Sequence, residues 1–425
     1  MVRLDNKKLM TLKVGNLTLA GFSFFYFFYK TVLGGAGIVD VKEYWRYMAY
    51  SIRGYDITTS AAEGIVLENI GEIGEGIVLP WGRLLGNLIY PGFLSLTGAA
   101  IYYYTLLGIC TGIAGYYILK WIEKKKIDNW QKKENLLFMI CLLIMPLYWD
   151  DALNTGNMGG LFCIFLILAA FFLESYSGLA SFLIAMAMIK PQNTSLFLLV
   201  LLVKKKYKVI CQTVGIIAAG IVSSELYVYA CSRFRGKIEN VSFIDKVLLM
   251  VKRYSGNGQG TKGEGTLPFF TYGILDKLID YGVSSYIVLI GSALLGIIFV
   301  FDVMFYIRDY KELNGDWIVL FSIAALGSTF WCYKTLCDEI IIILCNLLSI
   351  LYWKYGEKDL KSVLEILIYL ICINMKVFRL WGRKILPIEL DTAVVADQIL
   401  RIIVYVGMIV RIKQGMRKYN EQIRR

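Results

Sequence analysis

Apolar runs of roughly twenty residues recur from one end of this chain to the other, and no other feature limits its fold so strongly. A helix needs ~20 apolar residues to cross ~30 Å of hydrocarbon. Inside a bilayer only helices and closed barrels satisfy their own backbone N–H and C=O groups. Apolar residues make up 57% of the 425 and charged residues only 18%, with a mean hydropathy of +0.58. A soluble domain of this size does not carry so much hydrocarbon. The chain reads as an all-α, polytopic membrane helix bundle, one integral domain over residues 1–425 with no soluble domain of any size.

The formal net charge of +12 would suit nucleic acid if it formed one surface, but it is dealt out in short runs between apolar segments. "KWIEKKK" at 120–126, "KKKYK" at 204–208 and the closing "RIKQGMRKYNEQIRR" are what the positive-inside rule assigns to the cytoplasm. No nucleic-acid partner is expected. Nine Cys with no His leave no ligand set for zinc, and most of the Cys sit inside apolar segments as small hydrophobes.

These signals give a multi-pass protein of the cell membrane with both termini cytoplasmic. An uncleaved first span opens the chain, so that residues 34–97 form a first outer loop. Its segment "LPWGRLLGNLIYPGFLSL" is amphipathic enough to lie along the outer interface. Spans follow at 98–119, 135–149 and 157–173. The stretch 178–203 needs both ends in the cytoplasm yet is long enough for one crossing only. A broken helical hairpin resolves this, with its break at "KPQN", where Pro191 ends the first helix. The remaining spans are 209–231, 285–307, 317–332, 338–353, 362–375 and 392–412, and residues 232–284 form a second large outer loop. About ten full spans, one broken hairpin and juxtamembrane helices on the outer face result.

"DVKEYWRYMAYSIRGYD", residues 40–56, interrupts this pattern. Tyr44, Met48 and Ile52 recur at helical spacing with Trp45 and Ala49 beside them, so a short helix with one apolar face lies just outside the membrane. Asp40 stands at its start as an N-cap, and Glu43 three residues on completes a capping box. A capping aspartate still leaves one oxygen for chemistry, so the structural and the chemical readings of Asp40 both stand. Lys190 in the hairpin is a lysine at membrane depth, which marks function by default, although its long stem also lets it snorkel from a helix end.

The order of these residues resembles the first outer loop of membrane glycosyltransferases of the GT-C class, in particular the polyprenyl-phosphate-sugar-dependent mannosyltransferase family, glycosyltransferase family 87. Asp40, Tyr44, Ala49 and Gly54 fall in that family's register, and Pro80 and Pro91 in its interfacial segment. "LNTGNMGGL", with Gly156 and Asn157, resembles its Gly-Gln or Gly-Asn turn before a span. "AMAMIKPQNTSLFLLVLLVKKKYK" resembles its Lys-Pro segment, and "STFWCYK" its Trp-and-Tyr motif. The chain departs from the pattern at Cys332 and Lys334, near the place of a frequent His, and at Met158 and Gly159, where another Asn is usual.

The resemblance implies an inverting transfer of mannose or another hexose or pentose from a polyprenyl-phosphate donor to a lipid-linked or cell-envelope glycan on the outer membrane face. It makes Asp40 the general base, which agrees with the need for a carboxylate to take the acceptor hydroxyl's proton. The leaving phosphate needs cations, for which Lys190, Arg53, Arg83 and Lys334 are the candidates. Arg53 and Arg83 have the alternative of bonding acids such as Asp56 and Glu63. Tyr44, Trp45, Asn157 and Tyr333 are expected around the substrates, with Tyr44, Trp45, Tyr47 and Trp81 as candidates to stack on a sugar face. Asp150 and Asp151 offer oxygen ligands to a divalent cation, Mg, Mn or Ca, or else simply end a helix. The partners are then the polyprenyl-phosphate sugar, a glycan or glycolipid acceptor and membrane lipid.

Two other functions fit a multi-pass chain. A flippase or transporter of lipid-linked oligosaccharides calls for charged residues along a path through several spans, and the spans read as nearly free of charge. A polymerase or ligase of lipid-linked glycans relies on outer-loop arginines, for which Arg233 and Arg235 are the match.

Overall fold

The computed structural model describes residues 39–57, 60, 64–73, 82–125, 156–235, 270–272, 278, 282–330, 333–335, 341–355, 360–374, 378 and 390–424. The expected first span, the span expected at 135–149, most of the second outer loop, Pro80, Trp81, Asp150 and Asp151 lie outside the described residues.

The architecture is all-α. Helix α1 is Val39–Ile52, α2 is Leu96–Lys124, α3 is Met158–Phe172, α4 is Ser177–Ala187, α5 is Pro191–Val203 and α6 is Tyr207–Phe234. Then come α7, Ser285–Tyr306, α8, Trp317–Gly327, α9, Leu348–Tyr355, α10, Leu360–Asn374, and α11, Leu390–Arg424. Among the described residues, strand is confined to two antiparallel ladders. One joins β1, Val66–Leu67, to β2, Gly71–Glu72; the other joins β3, Phe270–Tyr272, to β4, Tyr333–Thr335.

Among the described residues, α2 and α6 are the helices long and apolar enough to cross a membrane unaided. Each leaves an apolar face uncovered, with Ile101, Ile109 and Ile113 exposed on α2 and Val222 and Leu226 on α6. Hydrocarbon accommodates such a surface better than water does, which favours a membrane setting for these two helices. The middle of the bundle is built differently. Every residue of α8 is buried, as a helix that is apolar all round requires, and Phe321 from it meets Phe197 of α5 edge-on at 4.8 Å.

The helices share two ends. At one, Lys125 meets Asp316 (2.6 Å) and Trp121 Nε1 donates to the same carboxylate (2.8 Å). Lys206 meets Glu174 (2.9 Å), Trp317 Nε1 donates to Glu174 (2.7 Å) and Lys204 Nζ donates to the Asn314 carbonyl (2.6 Å). The last turns of α2, α3 and α5 and the first turn of α8 therefore lie together at a basic end. Asp316 also caps α8, accepting from Ile318 N (2.9 Å). Hydrogen bonds from Lys206 and Trp317 hold the Glu174 carboxyl below the usual carboxylate range. Helix α4 leaves this end and α5 returns to it, the chain reversing at Met188–Lys190 with Pro191 as the first residue of α5. Proline is favoured there because its missing N–H would have had no partner in the helix.

Four expectations change. Residues 82–95 form no continuous helix: a single turn, Gly82–Leu85, runs into a 3-10 turn, Gly86–Leu88, with Tyr90 fully buried and Leu88 and Phe93 exposed. The span expected at 338–353 is interrupted at Leu347, where the Ser349 hydroxyl takes the Asn346 carbonyl (2.6 Å) that a continuous helix would use. The helix that holds the last expected span continues past 412 to Arg424, through a charged tail with no proline. Nor are the helices free of buried charge. Asp397 and Arg401, 1% and 0% exposed, stand four residues apart on one face of α11.

Candidate active site

Helix α1 is pinned at both ends and along its length. Trp45 Nε1 donates to the Leu94 carbonyl (2.9 Å). The Tyr50 hydroxyl accepts from Leu67 N (2.9 Å) and lies 2.7 Å from Ile65 O, and Arg46 Nε donates to Ile70 O (3.2 Å). These bonds clamp the β1–β2 hairpin and the 86–95 segment onto the helix. At its C-terminus, Tyr227 donates to Ile52 O (2.6 Å), and Arg235 donates to Arg53 O (3.0 Å) and Gly54 O (2.8 Å). These carbonyls lie where a helix end leaves acceptors unmatched, and a cation is favoured there. Gly54 ends the helix at φ +75°, and a Cβ on it would fall 2.1 Å from that of Cys231 on α6, so glycine is required twice over.

At the other end α1 starts at Val39, which puts Asp40 inside the first turn rather than ahead of it. The expected capping box does not form, because Glu43 pairs with Arg46 (3.1 Å). Asp40 Oδ2 instead accepts from Asn157 Nδ2 (2.8 Å). Asn157 is the N-cap of α3: its Oδ1 accepts from Gly159 N (2.9 Å) and also from Lys190 Nζ (2.9 Å). An amide N–H and an ammonium only donate, so the atom facing both has to be the oxygen, and the NH2 is left for the carboxylate. Asp40 Oδ1 has no partner among the described residues.

Three tyrosines hold this arrangement in place. Tyr44 stacks on Tyr90 (5.5 Å) and Tyr90 on Tyr103 (4.8 Å), while Lys190 Nζ lies 5.8 Å from the centre of the Tyr44 ring. Tyr90 donates to Gly156 O (2.5 Å) and Tyr103 to Asn157 O (2.7 Å). Gly156 sits at φ +68°, and a Cβ there would meet Val41 Cγ2 at 2.1 Å. Only glycine lets the turn approach α1 this closely. Tyr103 is seven residues in from the start of α2, so the cluster lies ~10 Å inside that end of the helix.

The structure thus brings Asp40, Tyr44, Asn157 and Lys190 together and gives Arg83, Trp45 and Arg53 other partners. Arg83 is fully buried on Asp56, with Glu225 of α6 at 3.4 Å, so its charge is matched inside the protein instead of being offered to a phosphate. Trp45 is 8% exposed, its ring packed and its N–H used, and presents no face to a sugar. Arg53 is exposed, but its Nη1 bridges Ala49 O (2.9 Å) and Gly92 O (3.3 Å). Tyr333 and Lys334 lie in β4, paired with Tyr272 and Thr271. Among the described residues no group of three His, Cys, Asp or Glu stands ready for a metal ion.

Tyr90 and Tyr103 are the site residues the sequence hid. Both fall in apolar, tyrosine-rich stretches where a ring reads as core or as interfacial belt, and only the fold shows that their hydroxyls meet consecutive carbonyls of the Gly156–Asn157 turn.

For this partly exposed carboxylate beside a lysine, comparison with known families points to a glycosyltransferase. The family model that matches is glycosyltransferase family 87, over residues 87–242. The match supports a GT-C-like glycosyltransferase of that family, in agreement with the resemblance carried by the motifs. The matched stretch contains Asn157 and Lys190, and Asp40 precedes it. No curated protein and no solved structure matches the chain.

Proposed function

We propose that this glycosyltransferase moves a hexose or pentose, mannose among them, from a polyprenyl-phosphate donor to a lipid-linked or cell-envelope glycan on the outer face of the membrane. The acceptor hydroxyl oxygen attacks the anomeric carbon and its proton passes to Asp40 Oδ1. The bond from that carbon to the phosphate oxygen breaks on the opposite face, and polyprenyl phosphate leaves carrying the electron pair. The configuration inverts. Lys190 stabilises the charge that grows on the leaving phosphate, with Lys334 as the second cation and Tyr44 and Tyr333 lining the substrate positions.

One observation carries this reading. Asp40 has one oxygen anchored on Asn157 and the other without a partner among the described residues, and the same amide holds Lys190 (2.8 and 2.9 Å). A base and a cation are thereby fixed on either side of one side chain. The basic end of the bundle, with Lys125, Lys204 and Lys206, is then the cytoplasmic end, and α4 and α5 are the broken hairpin that carries Lys190 into the membrane from below.

The test is transfer from a panel of polyprenyl-phosphate sugars by purified protein, wild type against Asp40→Asn. Transfer that falls at least ~100-fold in the variant, at equal expression, is the expected result. A variant that keeps the wild-type rate removes Asp40 from the chemistry.

Movement of a lipid-linked oligosaccharide is the second reading, and buried Asp397 and Arg401 on α11 are the observation that favours it. Vesicles carrying the protein, tested for translocation of such a lipid with no sugar transferred, separate the two. Of the two arginines that mark the polymerase reading, Arg235 holds the end of α1, so its loss is destabilising whichever reaction the protein performs, and Arg233 is left as the discriminating residue.

A further inference from the structure

We infer that Asn157 is the positioning residue of this site, fixing which oxygen of Asp40 faces the acceptor and holding Lys190 in register with it; this rests on the reading of Asp40 as the base. Capping α3 does not by itself explain an asparagine here. Aspartate and serine cap a helix about as well as asparagine does. What they lack is a side-chain NH2. Asn157 uses its oxygen for two donors, Gly159 N and Lys190 Nζ, and its nitrogen for one acceptor, Asp40 Oδ2 (2.9, 2.9 and 2.8 Å). Among the good capping residues, only an amide meets all three demands.

The surroundings are built to keep that amide still. Asn157 is 4% exposed, its carbonyl is held by Tyr103 (2.7 Å) and the carbonyl before it by Tyr90 (2.5 Å). With Oδ2 tied down, Asp40 cannot rotate freely, and Oδ1 stays turned away from the amide. A base held in this way needs no reorganisation when the acceptor arrives. Asn157 touches neither reacting centre in this scheme. It acts through Asp40 and Lys190.

Asn157→Asp reverses the contact with Asp40 and adds a charge beside Lys190. The new carboxylate still caps α3 and still accepts from Lys190, but it sets two acids face to face where a donor met an acceptor. The charged and titratable groups around Asp40 otherwise stay in place: Tyr47 on its own helix, Tyr90 from the 86–95 segment and Lys190 from the α4–α5 turn. The expected result is a lower Tm, because two acids then meet at a position only 4% exposed, and a raised KM for the polyprenyl-phosphate donor, because the new carboxylate also competes for Lys190. The kcat is about 10- to 100-fold lower, the loss usual for a partner that orients a reacting group. The acid limb of the pH–rate profile moves up by about one pH unit, because a like charge favours the protonated acid.

Asn157→Ser, which keeps a cap but has no NH2, loses kcat with its Tm retained, whereas Asn157→Ala loses Tm as well. A purely capping role predicts otherwise for the uncharged variant: Asn157→Ser then keeps the wild-type kcat and pH profile, and that outcome overturns the inference. Asp40→Asn tells this failure from the other. If Asp40→Asn is inactive while Asn157→Ser is fully active, positioning alone is wrong. If Asp40→Asn is itself fully active, the base is wrong and positioning falls with it.

Discussion

Tyr90 donates its phenol hydrogen to the carbonyl of Gly156 at 2.5 Å, so a residue of the 86–95 segment holds the turn that carries Asn157. The bond joins two segments 66 positions apart at a point where neither has a helix to supply its hydrogen bonds. Removing the hydroxyl leaves a buried acceptor unmatched.

Tyr90→Phe keeps the ring stacked between Tyr44 and Tyr103 and removes only that bond. The expected cost is about 1 to 3 kcal/mol, that of one buried polar group left unsatisfied. It is read as a lower Tm in detergent and, because the turn loosens, a lower kcat. A variant with wild-type Tm would mean that the carbonyl finds another donor.

Arg83 gives a test in which stability and activity part company. Its guanidinium is 0% exposed and bonded to Asp56, itself 0% exposed, with Glu225 beside it. Arg83→Leu strands two carboxylates, one fully buried, and removing one member of such a pair costs about 3 to 5 kcal/mol. Arg83→Leu is therefore expected to lose folded protein in a detergent-resistance or Tm measurement. A phosphate-binding arginine would give the reverse, a stable protein with a raised donor KM.

That result bears on what the sequence made legible. The apolar runs placed the starts of α2, α3 and α6 within two residues, since a hydrocarbon-length stretch leaves little choice of structure. The break at Pro191 was legible because proline is poor inside a helix and good at its start. Asp40, Asn157 and Lys190 were each legible as single residues, through motif order. That one amide joins all three was not, because 117 positions separate Asp40 from Asn157 and no periodicity reports on contacts of that range. The buried fates of Arg83 and Trp45 were hidden for the same reason: a charged or aromatic residue in an outer loop looks available until its partners, here Asp56, Glu225 and the Leu94 carbonyl, are seen.

The basic end of the bundle carries a pH dependence whose sign is fixed by Glu174. Lys206 and Trp317 favour its ionised form, so the folded protein holds that proton less tightly than the unfolded chain does. The contribution is complete above the ordinary carboxylate range, about pH 4, and disappears as the pH falls through the lower folded value. Glu174 is largely exposed, and a pair of this kind contributes at most about 1 kcal/mol. Glu174→Gln should therefore lower Tm slightly at neutral pH and not at all once the pH lies below the lowered folded value. Parallel Tm curves for the two proteins across that range would show that the ion pair does not contribute.

Lys190 gives the sharpest single-residue test of the phosphate assignment. The ammonium sits at the turn between α4 and α5, half-buried, on Asn157 and near the Tyr44 ring. Such a lysine is costly to keep unless its charge is used. Lys190→Met has a stem of similar length and no charge, and Asn157 Oδ1 still caps α3, so folding should be retained or improved. If the charge meets the leaving phosphate, the transfer rate falls by about 10² to 10³, the usual cost of removing one preorganised donor. Lys190→Arg keeps the charge but replaces a compact ammonium with a planar fork, and should recover part of the lost rate. Initial rates over a range of donor concentrations, taken beside Tm for each variant, decide the matter. A Lys190→Met protein that is stable and transfers sugar at the wild-type rate would leave the lysine as a snorkelling side chain, and the phosphate would have to be met by another cation such as Lys334.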